Sequence, residues 1–139
     1  MVYAPVLRRT RHEIAEALSS GQAGAMCAAL ISAAYWEDDW KWAQQLMIEF
    51  ADHNDDKVAA SAASGLGYIA VFHGELDEEI VRPVLARLKK RPGVVADVLE
   101  TEEEIEHFVR RRRAGEDIPL GTRLPEDWRP PAGHFPDKV

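Results

Sequence analysis

A few short stretches carry the residue types that hold metals, activate nucleophiles or grip phosphate. His12-Glu13-Ile14-Ala15-Glu16 begins like the helix of a zinc protease, in which two histidines one turn apart bind the metal and the glutamate acts as base. Glu16 stands where the second histidine is needed, so that site cannot form. Glu104-Ile105-Glu106-His107 matches half of a di-iron helix motif, which requires a second Glu-x-x-His and two further glutamates from partner helices. No second copy exists, and the pair reads instead as part of a solvated acidic face. Asp52, His53, Asp55 and Asp56 offer oxygen and nitrogen ligands without the spacing or turn glycine of a calcium loop, so they are read as helix-capping residues. Cys27 lies among alanines, where a lone thiol is a small core residue rather than a nucleophile. There is no glycine-rich phosphate loop and no serine or cysteine paired with a base. The expectation is a chain without catalytic residues, metal site, cofactor or small-molecule substrate: a binding protein and not an enzyme.

Two arginine clusters, Arg8-Arg9-Thr10-Arg11 and Arg110 to Arg113, could touch phosphates. The second also complements the dipole of a helix that ends there and can pair with the acidic run one or two turns earlier. The overall charge argues against nucleic acid. Net charge is −7, and between Glu37 and Glu106 there are 17 acidic and 7 basic side chains, net −10, against +1 before and +2 after. An acidic middle repels nucleic acid and anionic lipid, and it either attracts a basic partner or serves as a solubilising face.

These residues must be positioned by helices. Thr10 followed by Glu13 is a capping box, predicting a first helix over about 10 to 20. Ser19-Ser20-Gly21 ends it, and alanine-rich Gln22 to Tyr35 forms the second. Glu37-Asp38-Asp39 places negative charge at the start of a third helix running to about His53, with Trp36, Trp40, Ala43, Met47 and Phe50 on its core face and Trp42 and Leu46 beside them. Asn54-Asp55-Asp56 turns into the fourth, whose Val58, Ala62, Leu66 and Ile69 form one apolar stripe flanked by Ala59, Ala60, Ala63, Ser64, Gly65 and Gly67. So little bulk lets neighbouring helices approach on more than one side. Gly74 closes that helix. Asp77 is the expected cap of a fifth, with Ile80, Val81, Val84, Leu85 and Leu88 buried and Pro83 kinking it or disordering its first turn. Pro92-Gly93 breaks the chain, and Val94, Val95, Val98, Leu99, Ile105, Phe108 and Val109 carry a sixth helix to about Arg112. From Gly115 onward Pro119, Pro125, Pro130, Pro131 and Pro136, with Gly121 and Gly133, exclude a long helix. Ile118, Leu120, Leu124, Trp128 and Phe135 are anchors that lay this tail across the helices.

The expected fold is all-α, a stack of about three helical hairpins over residues 1–113 with an extended proline-rich tail over 114–139. At 139 residues and 46% hydrophobic content it buries a real core without staples. No apolar run nears the roughly 18 residues of a membrane span, and the opening residues do not read as a secretory signal, so a soluble cytoplasmic protein is expected.

Helices three and four repeat as five and six at a displacement of about 37 residues, aligning Val58 with Val95, Ala62 with Leu99, and Ile69 with Ile105 or Glu106. Asp55-Asp56-Lys57-Val58-Ala59-Ala60-Ser61-Ala62-Ala63-Ser64-Gly65-Leu66-Gly67 resembles the second helix of a HEAT repeat, with Ala59 in place of the usual arginine. The span from Tyr35 to Val109 is similar to a group of small bacterial HEAT-like proteins, several of which are immunity proteins of secreted or contact-delivered toxins. The likeness rests on Trp-Glu-Asp-Asp-Trp-Lys-Trp at 36 to 42, the repeat helix, Phe72-His73-Gly74-Glu75-Leu76-Asp77, Pro83, and Ile105-Glu106-His107-Phe108. It implies an immunity protein that occludes the basic surface of a cognate toxin, a nuclease by charge; the alternative is a HEAT-like interaction scaffold without a toxin. Two acidic surfaces could receive such a partner. One edge gathers Glu37, Asp38 and Asp39 with Glu75, Asp77, Glu78 and Glu79. Along the sixth helix Asp97, Glu100 and Glu104 recur at three and four, with Glu103 and Glu106 extending the acid.

Overall fold

The computed structural model describes residues 5–129. Helices α1 (Arg11–Ser19), α2 (Ala23–Trp36), α3 (Trp40–Ala51), α4 (Asp56–His73), α5 (Glu78–Leu88) and α6 (Val95–Ile105) follow in order, and no strand occurs among the described residues. The α6 helix continues through a π-helical turn, Glu106–Arg110, into a last turn, Arg111–Arg113. None of these helices is long and apolar enough to cross a membrane.

The helix ends follow from local chemistry. The Thr10 hydroxyl accepts from Glu13 N (3.1 Å) while Glu13 Oε1 accepts from Thr10 N (2.7 Å), a closed capping box. Asp39 caps α3 by accepting from Trp42 N (3.2 Å), so the helix starts at Trp40 rather than among the acids before it. Asp55 caps α4 through Lys57 N (2.8 Å). Gly74 ends α4 at φ +66°, a left-handed conformation that costs residues with a Cβ about 1 kcal/mol or more.

The helices stack as hairpins in two layers, α1, α3 and α5 in one and α2, α4 and α6 in the other. The α4 helix lies between α2 and α6 and is covered by α3. Val58, Ala62, Leu66 and Ile69 are completely buried, as the stripe predicts. Full burial of each of the larger ones stabilises by about 1.5–3 kcal/mol. Gly65 faces Met47 of α3 and Ala34 of α2, and Gly67 faces Thr101 and Glu104 of α6. A Cβ at either position would collide with those side chains, so the small residues are what set the close spacing.

Several expected faces are rotated. On α3 the buried residues are Ala43, Gln44, Met47 and Ala51, while Trp40, Trp42 and Phe50 are half-buried and Trp36 ends α2. Ile80 and Leu99 are exposed, at 51% and 49%. The repeat register is Val58 with Val94, Ala62 with Val98, Gly65 with Thr101 and Ile69 with Ile105, each pair buried. Aligning Ala62 with Leu99 is one residue out, and one residue is a 100° rotation that turns Leu99 to solvent. The Thr101 break in the α6 stripe is filled by a buried hydrogen bond from its hydroxyl to Ala63 O (2.8 Å). The α5 helix continues through Pro83, which lies on its exposed side.

The tail from Ala114 to Arg129 is non-helical and returns along the ends of α2 and α4. Gly121 N donates to Val71 O (2.9 Å), and Leu124 N donates to the Tyr35 hydroxyl (2.6 Å). Ile118 and Trp128 are half-buried, whereas Leu120 and Leu124 keep 37% and 41% of their surface. Met1 to Ala4, and Pro130, Pro131, Gly133, Phe135 and Pro136 of the tail reading, lie outside the described residues.

Candidate functional site

The two acidic surfaces differ in what their carboxylates touch. On the edge formed by the starts of α3 and α5, nearly every acid has an internal partner. Arg11 of α1 makes a two-pronged pair with Glu37 (Nε to Oε1 3.0 Å, Nη2 to Oε2 3.1 Å), and its Nη2 lies 3.7 Å from Asp39. Its guanidinium also lies 4.3 Å from the centre of the Trp42 ring. The Arg11 hydrogen bond holds the Glu37 carboxyl below its ordinary range against the opposing effect of burial.

Asp77 is at the cap position of α5, yet its side chain makes no capping bond. Instead buried Gln44 of α3 donates from Nε2 to Asp77 Oδ2 (3.0 Å) and accepts from Asp77 N (2.8 Å). This reciprocal pair ties the α3–α4 hairpin to the α5–α6 hairpin within one layer. Glu78 receives Arg110 (2.6 Å), Arg113 (3.2 Å) and Arg82 (3.6 Å), and Arg113 also reaches Glu75 (3.4 Å) and Leu76 O (2.8 Å). Arg110 and Arg113, three residues apart at the end of the π-helical turn, share one helix face and so both reach Glu78. Of the four arginines, only Arg110 pairs back along its own helix to an acid, Glu106 (3.3 Å). Arg111 takes Glu116 (2.6 Å), and Arg112 reaches Ile118 O (3.1 Å) and Gly74 O (3.5 Å). On this edge only Asp38 and Glu79 lack an ion pair and a hydrogen bond among the described residues.

The α6 surface is the reverse case. Glu102 is taken by Lys89 (2.8 Å), Glu106 by Arg110, and Asp97 accepts from the Ser64 hydroxyl (3.2 Å). Glu100, Glu103 and Glu104 have no cation and no hydrogen-bond donor among the described residues. Glu104 lies over Gly67, half-buried against α4. Burial first, then the charges of Glu100 and Glu103, push its carboxyl up to about 7. Tyr68 of α4 belongs to the same surface. Burial, followed by Glu104 and Glu100, raises its hydroxyl, and its ring stacks on Phe72 with centroids 6.1 Å apart. The contacts of Ser64 with Asp97 and of Gly67 with Glu104 set the acids of α6 beside the half-buried outer stripe of α4, Ser61, Ser64 and Tyr68. Beyond α4, α2 exposes Gly24, Ala25 and Ala28 and has no charged side chain. The outer side of this layer therefore grades from uncharged to strongly acidic.

Of the twelve acids named from sequence, Glu37, Asp39, Glu75, Asp77 and Glu78 on the edge and Asp97 and Glu106 on α6 are engaged inside the molecule, Asp38 and Glu79 are exposed and unpaired on the edge, and Glu100, Glu103 and Glu104 are brought together unpaired on α6. Sequence reading missed Tyr68 and Ser64; their recurrence with Ser61 at three and four along α4, opposite the apolar stripe, was the available signal.

The other stretches are accounted for locally. His53 Nδ1 accepts from Asp55 N (3.0 Å), Asp52 pairs with Arg87 (3.0 Å) and Asp56 with Arg91. Exposed His12 is 3.6 Å from Glu16, and His107 packs edge-on against Phe108. Cys27 is half-buried, and no cluster of three or more His, Cys, Asp or Glu side chains is arranged to hold a metal among the described residues.

No family model and no curated protein matches the chain. Among solved structures it is similar to a chain of a CDI complex from Cupriavidus taiwanensis LMG 19424. That chain is 28% identical with a TM-score of 0.70, over 78% of the present chain and 97% of its own length. The all-helical stack is therefore shared with a protein crystallised in a CDI complex, nearly the whole of which is matched.

Proposed function

We propose that this chain is an immunity protein of a contact-dependent inhibition system. It binds a cognate toxin in the cytoplasm and neutralises it without catalysis, by covering a basic surface of the kind a nuclease uses to hold its substrate. The fold shared with a chain of a CDI complex supports the class of partner. The observation that carries the choice of surface is the set of three carboxylates, Glu100, Glu103 and Glu104, left without cations in a protein whose other acids are largely paired. A partner's lysine or arginine that lands there meets charges not already neutralised, whereas at the α3–α5 edge it must displace Arg11, Arg110 or Arg113. The uncharged surface of α2 and the Tyr68 ring supply the apolar part of the interface. The described part of the tail, residues 114–129, is a strap on the helical domain rather than a second binding unit.

The test is co-expression with the product of the adjacent upstream gene. Rescue of growth, together with a complex whose association slows as salt rises, is expected. Absence of both toxicity and complex formation overturns this reading in favour of a general scaffold.

A further inference from the structure

The tail segment from Gly121 to Glu126 is fastened at a point where one atom has two incompatible partners. His73 Nε2, at the end of α4, lies 3.1 Å from Glu37 O and 3.1 Å from Arg123 Nη2. A carbonyl oxygen accepts only, so bonding to Glu37 O requires a proton on Nε2. A guanidinium donates only, so bonding to Arg123 requires the Nε2 lone pair. The ring can serve one of them at a time. Around it, Glu37 and Asp38 face the imidazole from the α2–α3 link and favour its charged form, while burial and Arg123 oppose it. The opposing effects prevail, holding His73 below its ordinary value. Arg112, from the end of α6, is directed to Gly74 O and Ile118 O instead of to the ring. Arg123 has further roles in the strap: its Nε donates to Tyr35 O, and its guanidinium sits 5.1 Å from the Phe72 ring centre.

We propose that His73 and Arg123 form a pH-sensitive latch, which holds the strap across the ends of α2 and α4 while the imidazole is neutral and releases it when the imidazole is protonated. In the neutral ring with its proton on Nδ1, Nε2 accepts from Arg123 and the strap is closed. Protonation places hydrogens on both nitrogens, turns Nε2 toward Glu37 O, and sets two cations side by side. The sign follows: the latch is engaged above the His73 midpoint and lost as pH falls through it. This device does not depend on the toxin-binding reading.

The test uses the full chain, following His73 by its imidazole NMR shifts and the strap by hydrogen exchange of the Gly121 and Leu124 amides, corrected for intrinsic rates. Loss of one charge-assisted hydrogen bond predicts strap exchange about 10-fold or more faster in acid, with a midpoint that coincides with the His73 titration. Arg123→Ala, with helical content checked by circular dichroism, should open the strap at all pH values and raise the His73 midpoint. A strap whose protection does not follow the His73 titration, or a His73 midpoint unmoved by Arg123→Ala, overturns the latch.

Discussion

Replacing Gln44 by methionine tests whether Asp77 is a structural acid or a docking one. Gln44 is 3% exposed, and its amide makes two bonds with Asp77, one to the carboxylate and one from the backbone N–H. Methionine fills about the same volume and makes neither. The bond to the ionised carboxylate is worth about 1.5–3 kcal/mol and the neutral bond about 1 kcal/mol. Asp77 is half-exposed, so water recovers part of this, leaving a net loss of about 2–3 kcal/mol. That is a large share of the roughly 5–15 kcal/mol by which such domains are stable. Urea unfolding followed by circular dichroism measures it: the midpoint should fall while the slope is unchanged, because the surface exposed on unfolding stays the same. A double-mutant cycle with Asp77→Ala should give a coupling of about 1–2 kcal/mol. A loss below about 0.5 kcal/mol would refute the assignment and return Asp77 to the exposed acids.

Two other perturbations probe the site and its frame. The folded-state carboxyl of Glu104 is raised from 4.5 to about 7, so its ionised form opposes folding and stability falls as pH rises through that interval. Glu104→Gln removes this penalty. It should stabilise the protein at pH 8 by about 1 kcal/mol, a figure discounted for the screening of a half-exposed group, and do nothing below the unfolded-state value; a pH–stability profile that keeps its wild-type shape contradicts it. Gly74→Ala should cost about 1–3 kcal/mol by urea unfolding, because the left-handed cap at φ +66° penalises a Cβ, which would also meet Arg112 and Leu120.

Local signals in the sequence were strong where they depend on neighbours a turn away. Thr10 with Glu13, Asp55 and Gly74 mark helix ends, and the stripe from Val58 to Ile69 identifies α4 as the internal helix, because caps and periodicity are properties of a few consecutive residues. Long-range facts were not legible. Nothing near Glu78 indicates that Arg110 and Arg113 converge on it, since that depends on how the end of α6 sits against the start of α5. The alignment of Ala62 with Leu99 rather than Val98 shows the same difficulty: both are apolar, and only packing decides which faces inward. The candidate acids could therefore be named, but their separation into engaged and unpaired groups required the positions of arginines over thirty residues away, such as Arg110 from Glu78 and Arg113 from Glu75.

The central claim is that a basic partner lands on α6 and not on the α3–α5 edge, and stopped-flow association with the cognate toxin tests it most directly. Two variants are compared with the wild type: Glu100→Lys with Glu103→Lys on α6, and Asp38→Lys with Glu79→Lys on the edge. All four positions are exposed and unpaired among the described residues, so both variants should keep the wild-type fold. Loss of steering on the α6 surface should slow association by about 10-fold or more and flatten its salt dependence, while the edge variant stays within about 2-fold of the wild type. The opposite ranking, with the edge variant slow and the α6 variant unchanged, would contradict the account.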